Sequence, residues 1–284
     1  MAALRKAGLD VELRLTERPG HGTELAYRAV LDGYSSVIAA GGDGSINEVV
    51  NGMLRAADEA GSDVPPIGIL PLGSANDLID NLKLPEQLDE AANVIAAGRT
   101  RRLDLGQVNG RYFDNNSAVG LEPSISLVQQ RIRHVHGTPR YILATLRGIV
   151  RNPRWTMDLE WDGGEYSGPI TAVTVGNCAR TGGIFYVTPH ADPFDGRLTF
   201  AFAYMPTRRQ LLRVLPRTTR PGRGSWVEHP SVREVHTPWL KIRAEQPTPL
   251  HADGEILSPN VHDVEYRVVP DRLPIFMPEE DKAT

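Results

Sequence analysis

Apolar residues in the first hundred positions follow the spacings of buried strands and packed helices. Val37–Ala40 and Ile67–Leu72 are short apolar runs that end at a glycine, which is typical of buried strands. After the first run, apolar residues recur three and four positions apart and predict one face of a packed helix: Ile46, Val49, Val50, Met53, Leu54 and Ala57. Two strand–glycine–helix units therefore follow each other, as in an α/β domain.

The pattern changes at Arg101. Short alternating or β-branched segments follow, separated by Gly, Asn, Pro and Asp, and they predict a β-sandwich. These segments are Arg102–Val108, Tyr112–Asn116, Thr156–Trp161, Ile170–Gly176, Leu198–Tyr204, Val232–Val235, Leu240–Ala244 and Val264–Val269. Helices are predicted at 123–135 and 141–150. We expect an α/β domain over 1–105 and a β-rich domain over 106–269, with the tail 270–284 returning to the first domain.

The start of the chain predicts a short helix, Met1–Ala7, and then a strand, Val11–Leu15. Doubly wound α/β domains normally begin with a strand. We therefore expect the α/β domain to lack its first strand. Further helices are predicted at Ala26–Leu31 and at Glu86–Ala97, the second of which is followed by Gly98.

Composition narrows the class of protein. The chain has 284 residues, 40% of them hydrophobic and 23% charged, which is ordinary for a soluble globular protein. Its single cysteine, Cys178, fits a reducing cytoplasm, and the absence of a long apolar run argues against a membrane span. A net charge of −4 argues against a general nucleic-acid binder. Two stretches, 123–157 and 207–226, contain arginines and no acidic residue, which suits an anionic membrane surface or two solvated faces.

The loop after the first strand, Gly41–Asn47, is a candidate anion site because the helix that follows directs free N–H groups toward it. The loop has no lysine, which excludes a P-loop, and Asn47 interrupts the dinucleotide fingerprint. Asp43 would repel a bare pyrophosphate but suits a nucleoside triphosphate bound with Mg²⁺. The alternative is a tight turn whose aspartate caps the following helix.

A second loop, Gly73–Asp77, should lie at the same edge of the sheet. At this point two motifs, GGDGS-INE-VVNG and LPLGSANDL, resemble those of the bacterial diacylglycerol and lipid kinases, relatives of sphingosine kinases and more distantly of NAD kinases and phosphofructokinases. Serine stands at Ser45 and Ser74, where the family has threonine, and the hydroxyl is retained. The family's arginine four residues after its Asn-Asp pair is missing here.

The resemblance implies an ATP site with contacts from both loops and from the loop before the second predicted helix. The implied residues are Thr16, Gly41, Gly42, Asp43, Gly44, Ser45, Asn47, Ser74 and Asn76. For Thr16 the alternative is an ordinary helix N-cap.

In the second domain, Asn115–Glu122 and the segments 182–189 and 191–198 also resemble family motifs. By spacing alone, Asp195-Gly196 is a hairpin turn. The resemblance instead implies a Mg²⁺ ligand at Asp195, with the backbone carbonyls of Asp192 and Arg197 as co-ligands.

His251-Ala-Asp-Gly-Glu255 is the other candidate site. Two carboxylates on either side of a glycine could converge on one hydroxyl, and phosphoryl transfer to an alcohol needs such an acceptor. The resemblance implies Glu255 as the proton acceptor, with Asp253 as second choice. The alternative is a polar hairpin, and His251 is interpreted as a packing histidine.

These motifs predict an ATP- and Mg²⁺-dependent kinase that phosphorylates the hydroxyl of diacylglycerol or a related lipid. The alternatives are an NAD kinase-like enzyme with a soluble acceptor and a non-catalytic nucleotide- or lipid-binding relative. We expect a cytoplasmic protein that meets its lipid at the inner membrane face, without nucleic acid or a transmembrane segment; a homodimer is possible.

Overall fold

A computed structural model describes residues 1–132, 138–151 and 153–279 and divides the chain into two compact units. Unit 1 contains Met1–Leu105 and Pro270–Thr284, and unit 2 contains Gly106–Val269. Unit 1 mixes helices with parallel strands, whereas unit 2 is mostly antiparallel strands. The predicted fold class, an α/β part followed by a β-rich part, is confirmed.

In unit 1 the helices are α1 (Ala2–Lys6), α2 (His21–Leu31), α3 (Asp43–Ala60), α4 (Asp77–Asn81) and α5 (Leu88–Ala97), and the strands are β1 (Val37–Gly41), β2 (Ile67–Pro71) and the first part of β3 (Thr100–Val108). Strands β1 and β2 pair in parallel, with Val37 opposite Ile67. Because parallel strands end at the same edge of a sheet, the two glycine loops that follow β1 and β2 lie at the same edge of this sheet.

Helix α3 packs as its sequence pattern predicts. Ile46, Val50 and Met53 are completely buried, while Val49 stays partly exposed. Its contact with α2 is close, since a Cβ atom added to Gly52 would lie 2.3 Å from the backbone oxygen of Thr23.

The predicted strand Val11–Leu15 is wrong. The segment is not a strand, and Leu13 and Leu15 leave 56% and 73% of their surfaces exposed. An apolar alternation becomes a strand only where a neighbouring strand accepts its backbone hydrogen bonds. Within the described residues none pairs with this segment.

The strands of unit 2 are β4 (Arg111–Phe113), β5 (Asn116–Gly120), β6 (Trp155–Trp161), β7 (Gly164–Ile170), β8 (Ala172–Gly176), β9 (Arg180–Thr181), β10 (Phe185–Tyr186), β11 (Leu198–Ala203), β12 (Val232–Thr237), β13 (Trp239–Ala252) and most of β14 (Glu255–Phe276). Its helices are α6 (Leu121–Arg131), α7 (Thr138–Arg151) and α8 (Arg208–Val214). The predicted segment Tyr112–Asn116 is divided between β4 and β5. The end of the predicted helix 123–135 extends beyond the described residues.

One long strand, β13, organises this unit. Its first part pairs with β6, with Leu240 opposite Trp161, and its last part pairs with β5, with Leu250 opposite Val119. Shifts in the β13–β14 register between Arg243 and His251 accompany this change of partner. Both parts of β13 contribute to the core, through residues such as Leu240 and Leu250. In the same core, Trp161 meets Phe200 at 5.4 Å between ring centroids.

The end of β14 lies in unit 1, where Ile275 pairs in parallel with Ile67 of β2. A hydrogen bond of 2.8 Å from the Asp271 N–H to the Asp104 carboxylate holds the same segment. Within the described ranges, no helix combines the length and the apolar character needed to cross a membrane.

Candidate functional site

The two glycine loops of unit 1 pack directly against each other. The Leu72 N–H donates to the Gly41 carbonyl at 3.1 Å. A Cβ atom added to Gly73 would lie 2.4 Å from the Gly42 Cα, and one added to Gly42 would lie 2.9 Å from the Gly73 Cα. Both positions therefore need glycine so that the loops can touch.

Asp43 connects the two loops. Its Oδ1 accepts a hydrogen bond of 3.2 Å from the Leu78 N–H, in the first turn of α4. The alternative interpretation, in which Asp43 caps its own helix, is wrong, because the N-cap of α3 is Gly42, without a side-chain hydrogen bond. The first loop thus satisfies a backbone N–H group at the start of the helix that follows the second loop.

The space beside the first loop is open at Gly44. A Cβ atom added there would meet nothing within 4 Å, although Gly44 lies in the first turn of the 18-residue helix α3. Protein packing therefore does not explain this glycine. The N-terminus of such a helix attracts anions through its N–H groups and dipole, so a phosphate suits this space.

The remaining predicted ATP contacts fall into different environments. Ser45, in the first turn of α3, and Ser74, on the second loop, are exposed. Asn76 is the N-cap of α4 at φ +50°, and its Oδ1 is buried without a hydrogen-bond partner among the described residues. Asn47 is 1% exposed and accepts a hydrogen bond of 3.2 Å from Asn51. Thr16 is exposed before α2, whose N-cap is Gly20, so Thr16 is not that N-cap.

The sequence interpretation missed the role of Glu48. Its carboxylate accepts the N–H groups of Gly20, at 2.7 Å, and Gly22, at 2.9 Å, at the start of α2. Its position in the INE motif was the available signal, but the partners lie 28 and 26 residues away. Glu48 therefore fixes α2 against α3.

In unit 2, Asp253 and Gly254 form the two-residue turn between β13 and β14, with φ of +44° and +78°. The Asp253 carboxylate accepts three backbone N–H groups, from Asp114 at 3.0 Å, Asn115 at 3.1 Å and Asn116 at 2.9 Å. Burial nevertheless raises the pKa of Asp253 to about 6, against the opposing effect of these donors. Asp253-Gly254 is thus the turn of a polar hairpin, and the Asp253 carboxylate also holds the chain between β4 and β5 in place through these hydrogen bonds.

This pKa predicts a pH-dependent stability. The folded protein holds the Asp253 proton more tightly than the unfolded chain, so the contribution is complete below the ordinary pKa of 3.8 and is lost as the pH rises through about 6. Full ionisation should cost up to about 3 kcal/mol. Between pH ~4 and pH ~7 we expect urea titrations to show a smaller loss of stability in Asp253→Asn than in wild type. Asparagine tolerates the positive φ. Equal losses in both proteins would contradict the raised pKa.

Glu255 begins β14, two residues after Asp253. Its Oε2 lies 2.7 Å from an Arg111 guanidinium nitrogen, and the two side chains remain 45% and 38% exposed. An exposed ion pair contributes little to stability. The Glu255 carboxylate is thus accessible to solvent and oriented by one arginine.

An apolar cavity of about 430 Å³ lies in unit 2 and reaches Gly254. Helices α6, α7 and α8 line it through residues such as Ile125, Thr145 and Leu211. Trp226, whose indole nitrogen donates to the Val187 carbonyl at 3.0 Å, lines it as well. The surface of the cavity is mainly apolar, although hydroxyl and amide side chains also line it, so it suits a ligand with a large apolar part and a few polar groups.

Two ionisable side chains line the same cavity. His251 is 2% exposed, and its Nε2 lies 3.1 Å from the Glu122 Oε1, which Asn116 also approaches at 3.3 Å. Burial raises the pKa of Glu122, but His251 and these hydrogen bonds outweigh it and hold the pKa below its ordinary value. The His251 Nδ1 is buried without a hydrogen-bond partner in the described part of the chain. His251 is thus buried, as expected of a packing residue, and it also brings a polar atom to the cavity.

The predicted metal ligands lie in the turn before β11. The Asp192 Oδ1 accepts the Phe194 N–H at 3.1 Å, and the Asp195 Oδ1 accepts the Arg197 N–H at 2.9 Å. Both aspartates are exposed. Within the described ranges no three His, Cys, Asp or Glu side chains are grouped to hold a metal ion. A hard cation would depend on one or two carboxylates, backbone carbonyls and water, a donor set that suits Mg²⁺.

Comparison with known proteins decides the family. Residues 1–108 match the diacylglycerol kinase catalytic domain, and residues 116–277 match the YegS C-terminal NAD kinase beta sandwich-like domain. A probable YegS-like lipid kinase from Chromohalobacter salexigens is 32% identical over 257 residues, which cover 89% of this chain and 79% of that protein. The chain belongs to the diacylglycerol and lipid kinase family. It is therefore a phosphotransferase with an alcohol group as acceptor, and the predicted family is confirmed.

Other relatives agree with this lipid kinase assignment. A diacylglycerol kinase from Staphylococcus carnosus is 28% identical over 256 residues, which cover 90% of this chain and 81% of that protein. A solved putative diacylglycerol kinase from Bacillus anthracis shares the fold, with a TM-score of 0.77 at 21% identity over 98% of this chain and 89% of that one. An ATP-bound NAD kinase from Archaeoglobus fulgidus is more distant, with a TM-score of 0.54 at 15% identity over 98% and 88% of the two chains. The fold is thus common to lipid and NAD kinases.

Proposed function

We propose that this lipid kinase transfers the γ-phosphoryl group of ATP to the hydroxyl of diacylglycerol or a related lipid. The apolar cavity of unit 2, which reaches the Asp253–Gly254 turn, is the observation that carries the proposal. Its volume of about 430 Å³ accommodates a substantial part of an acyl chain. A soluble dinucleotide acceptor would suit a more polar cavity.

ATP would bind at the paired glycine loops of unit 1. The open space at Gly44 would receive the phosphates, and the N-terminus of α3 would stabilise their charge. The exposed hydroxyls of Ser45 and Ser74 are available for further contacts, and the half-buried Asn76 would contribute from the start of α4. Asp43 acts mainly by fixing the second loop to the first.

Magnesium would be held by Asp195, with the backbone carbonyls of Asp192 and Arg197. Bound there, it would supply neutralisation of phosphate charge. The residues of the chain perform the other tasks. Glu255 would accept the proton of the lipid hydroxyl, for which a carboxylate must come within about 3 Å. Asp253 would position this part of the hairpin through its three N–H donors. Much of the rate enhancement would come from alignment and charge stabilisation.

The direct test combines labelled ATP and Mg²⁺ with diacylglycerol in mixed micelles or with NAD. We expect labelled phosphatidate and no labelled dinucleotide. Ala172→Phe should fill part of the cavity and raise the KM for lipid at least about tenfold without changing nucleotide affinity, since it removes volume for an apolar chain. Ala96→Phe, on the exposed surface of α5, is the matched control. Labelled dinucleotide, or an unchanged KM in the cavity variant, would overturn the proposal.

A further inference from the structure

One arginine of unit 2 lies beside the proposed base. A nitrogen of the Arg111 guanidinium group is 2.7 Å from the Glu255 Oε2. Arg111 directly follows Asn109-Gly110, the two-residue turn between β3 and β4. Glu255 directly follows the corresponding two-residue turn between β13 and β14. Two hairpins therefore bring a guanidinium group and a carboxylate together at their turns.

The backbone on both sides of Arg111 is held in place. Before it, the Asn109 N–H donates to the Glu265 carbonyl at 3.0 Å, and the Glu265 N–H donates to the Asn109 Oδ1 at 2.8 Å. After it, the Asp253 carboxylate accepts the N–H groups of residues 114–116. The chain around β4 is thus fixed twice to the hairpin of β13 and β14, on which the proposed base lies. Charged groups held in this way are preorganised, as stabilisation of a transition state requires.

The charge of Arg111 matches a need of the reaction more than a need of the fold. Both side chains of its pair with Glu255 are exposed, and such a pair contributes little to stability. The transferred phosphoryl group is anionic, and the Glu255 carboxylate alone would repel it. Neither glycine loop, 41–47 or 73–77, contains a lysine or an arginine. Cationic side chains that stabilise the phosphoryl group must therefore come from elsewhere in the chain.

We propose that the Arg111 guanidinium group contacts the phosphoryl group during its transfer to the lipid. The oxygen that loses its proton to Glu255 is the same oxygen that gains the phosphoryl group. The O–H bond of the lipid hydroxyl breaks and the proton passes to Glu255, while an O–P bond forms to the γ-phosphorus. The bond between that phosphorus and the β-phosphate oxygen breaks, and ADP leaves with its electron pair. Arg111 keeps its protons throughout.

The geometry of a guanidinium group suits this task. Its five N–H donors form a planar fork, so one arginine can hold a carboxylate and phosphate oxygens together. Negative charge on the three equatorial oxygens of the moving phosphoryl group is the charge that catalysis must stabilise. This inference rests on the proposed function, because it needs a lipid hydroxyl that gives its proton to Glu255.

Initial rates with diacylglycerol in mixed micelles test the proposal. Arg111→Ala should lower kcat by about a hundredfold to a thousandfold, the usual effect of removing one group that stabilises transition-state charge. The KM for lipid should hardly change, since the free lipid carries no phosphate. Arg111→Lys keeps the charge without the fork and should lose about tenfold. Added guanidinium ion should restore part of the rate in Arg111→Ala. An unchanged kcat in Arg111→Ala would overturn the proposal.

Arg243→Ala is the matched control. Arg243 also lies on a strand of unit 2, and its exposed side chain pairs with Asp263 at 3.1 Å. This variant should keep the wild-type kcat and should not respond to guanidinium ion. Equal losses of kcat in Arg111→Ala and Arg243→Ala would overturn the proposal, because the loss of any exposed ion pair would then explain the effect.

A double variant separates contact with the phosphoryl group from orientation of the base. If Arg111 acted only by orienting Glu255, its removal would cost nothing further once Glu255 is glutamine. We expect Arg111→Ala/Glu255→Gln to have a kcat at least about tenfold below that of Glu255→Gln. Equal kcat values in the single and double variants would reduce Arg111 to a positioning residue and overturn the proposal.

Binding of a short-chain phosphatidate provides a measurement without turnover. Tryptophan fluorescence can follow it, since Trp226 lines the cavity. Wild type should bind phosphatidate more tightly than the matching diacylglycerol, and Arg111→Ala should lose most of this difference. An equal difference in both proteins would contradict the contact. Failure of the proposed function looks different, because wild type itself would then form no labelled phosphatidate.

Discussion

Replacing Glu255 by glutamine should lower kcat for lipid phosphorylation by about a hundredfold to ten-thousandfold, the usual contribution of a general base. The amide fills the same space but cannot accept the hydroxyl proton. The side chains of Glu255 and its ion-pair partner Arg111 are both largely exposed to solvent. The substitution should therefore change the free energy of unfolding by less than about 1 kcal/mol. Initial rates in mixed micelles, together with a thermal melt, measure both quantities.

Glu265→Gln provides the control for this experiment. Glu265 is also exposed on β14, so the same change is made in the same strand. It should leave kcat unaltered. A normal kcat in Glu255→Gln would show that Glu255 is not the base, whatever the effect of Asp253→Asn, because Asp253 also positions the hairpin. Normal kcat values in both variants would show that neither carboxylate accepts the proton.

The elements that carry the candidate nucleotide loops could be predicted because their signals are local. A short apolar run, two glycines and an amphipathic helix specify β1, the loop and α3 within about two dozen residues. The capping role of Asp43 could not be predicted in the same way. Its partner, the Leu78 N–H, lies 35 residues away, and only the folded arrangement brings the two together.

The cavity of unit 2 depends on such distant contacts even more. Glu122 and His251 are separated by 129 positions, and no periodic pattern relates them. Helix α8 was also missed, although Thr207 and Gln210 form a capping box at its start. With only seven residues, α8 gives a short apolar pattern, and its Leu211 and Val214 become informative only once the cavity is known.

The incorrect prediction of a strand at Val11–Leu15 is an error of the other kind, in which a clear local pattern did not become the structure that it predicts. Its alternation of apolar and polar residues is a genuine strand pattern, but a strand also needs a neighbour, which sequence periodicity does not supply. The glycines illustrate the same point at the level of single residues. Gly44 and Gly52 both lie within α3 and look equivalent in the sequence, yet their surroundings differ completely.

The second large effect is expected for Gly44→Ala, which should lower kcat/KM for ATP by about a hundredfold while leaving the fold intact. Apart from its chain neighbours and the backbone of α3 itself, the added methyl group would meet no protein atom within 4 Å, so it would enter the space assigned to the phosphates. Displacing a reacting phosphate by about 1 Å is enough for a loss of this size. Alanine should also raise the free energy of unfolding by about 0.5–1 kcal/mol, because it favours the helix over the unfolded chain. Nucleotide titration and urea unfolding measure the two effects separately.

Gly52→Ala makes the same substitution in the same helix with the opposite expectation. Its methyl group would lie 2.3 Å from the Thr23 oxygen, so α2 and α3 would have to move apart, at a cost of about 1–3 kcal/mol. A more stable Gly44→Ala with weak ATP binding, beside a destabilised Gly52→Ala, would link the first glycine to a ligand and the second to packing. If Gly44→Ala bound ATP with wild-type affinity, the phosphates could not occupy the open space at Gly44, and the ATP site would have to lie elsewhere.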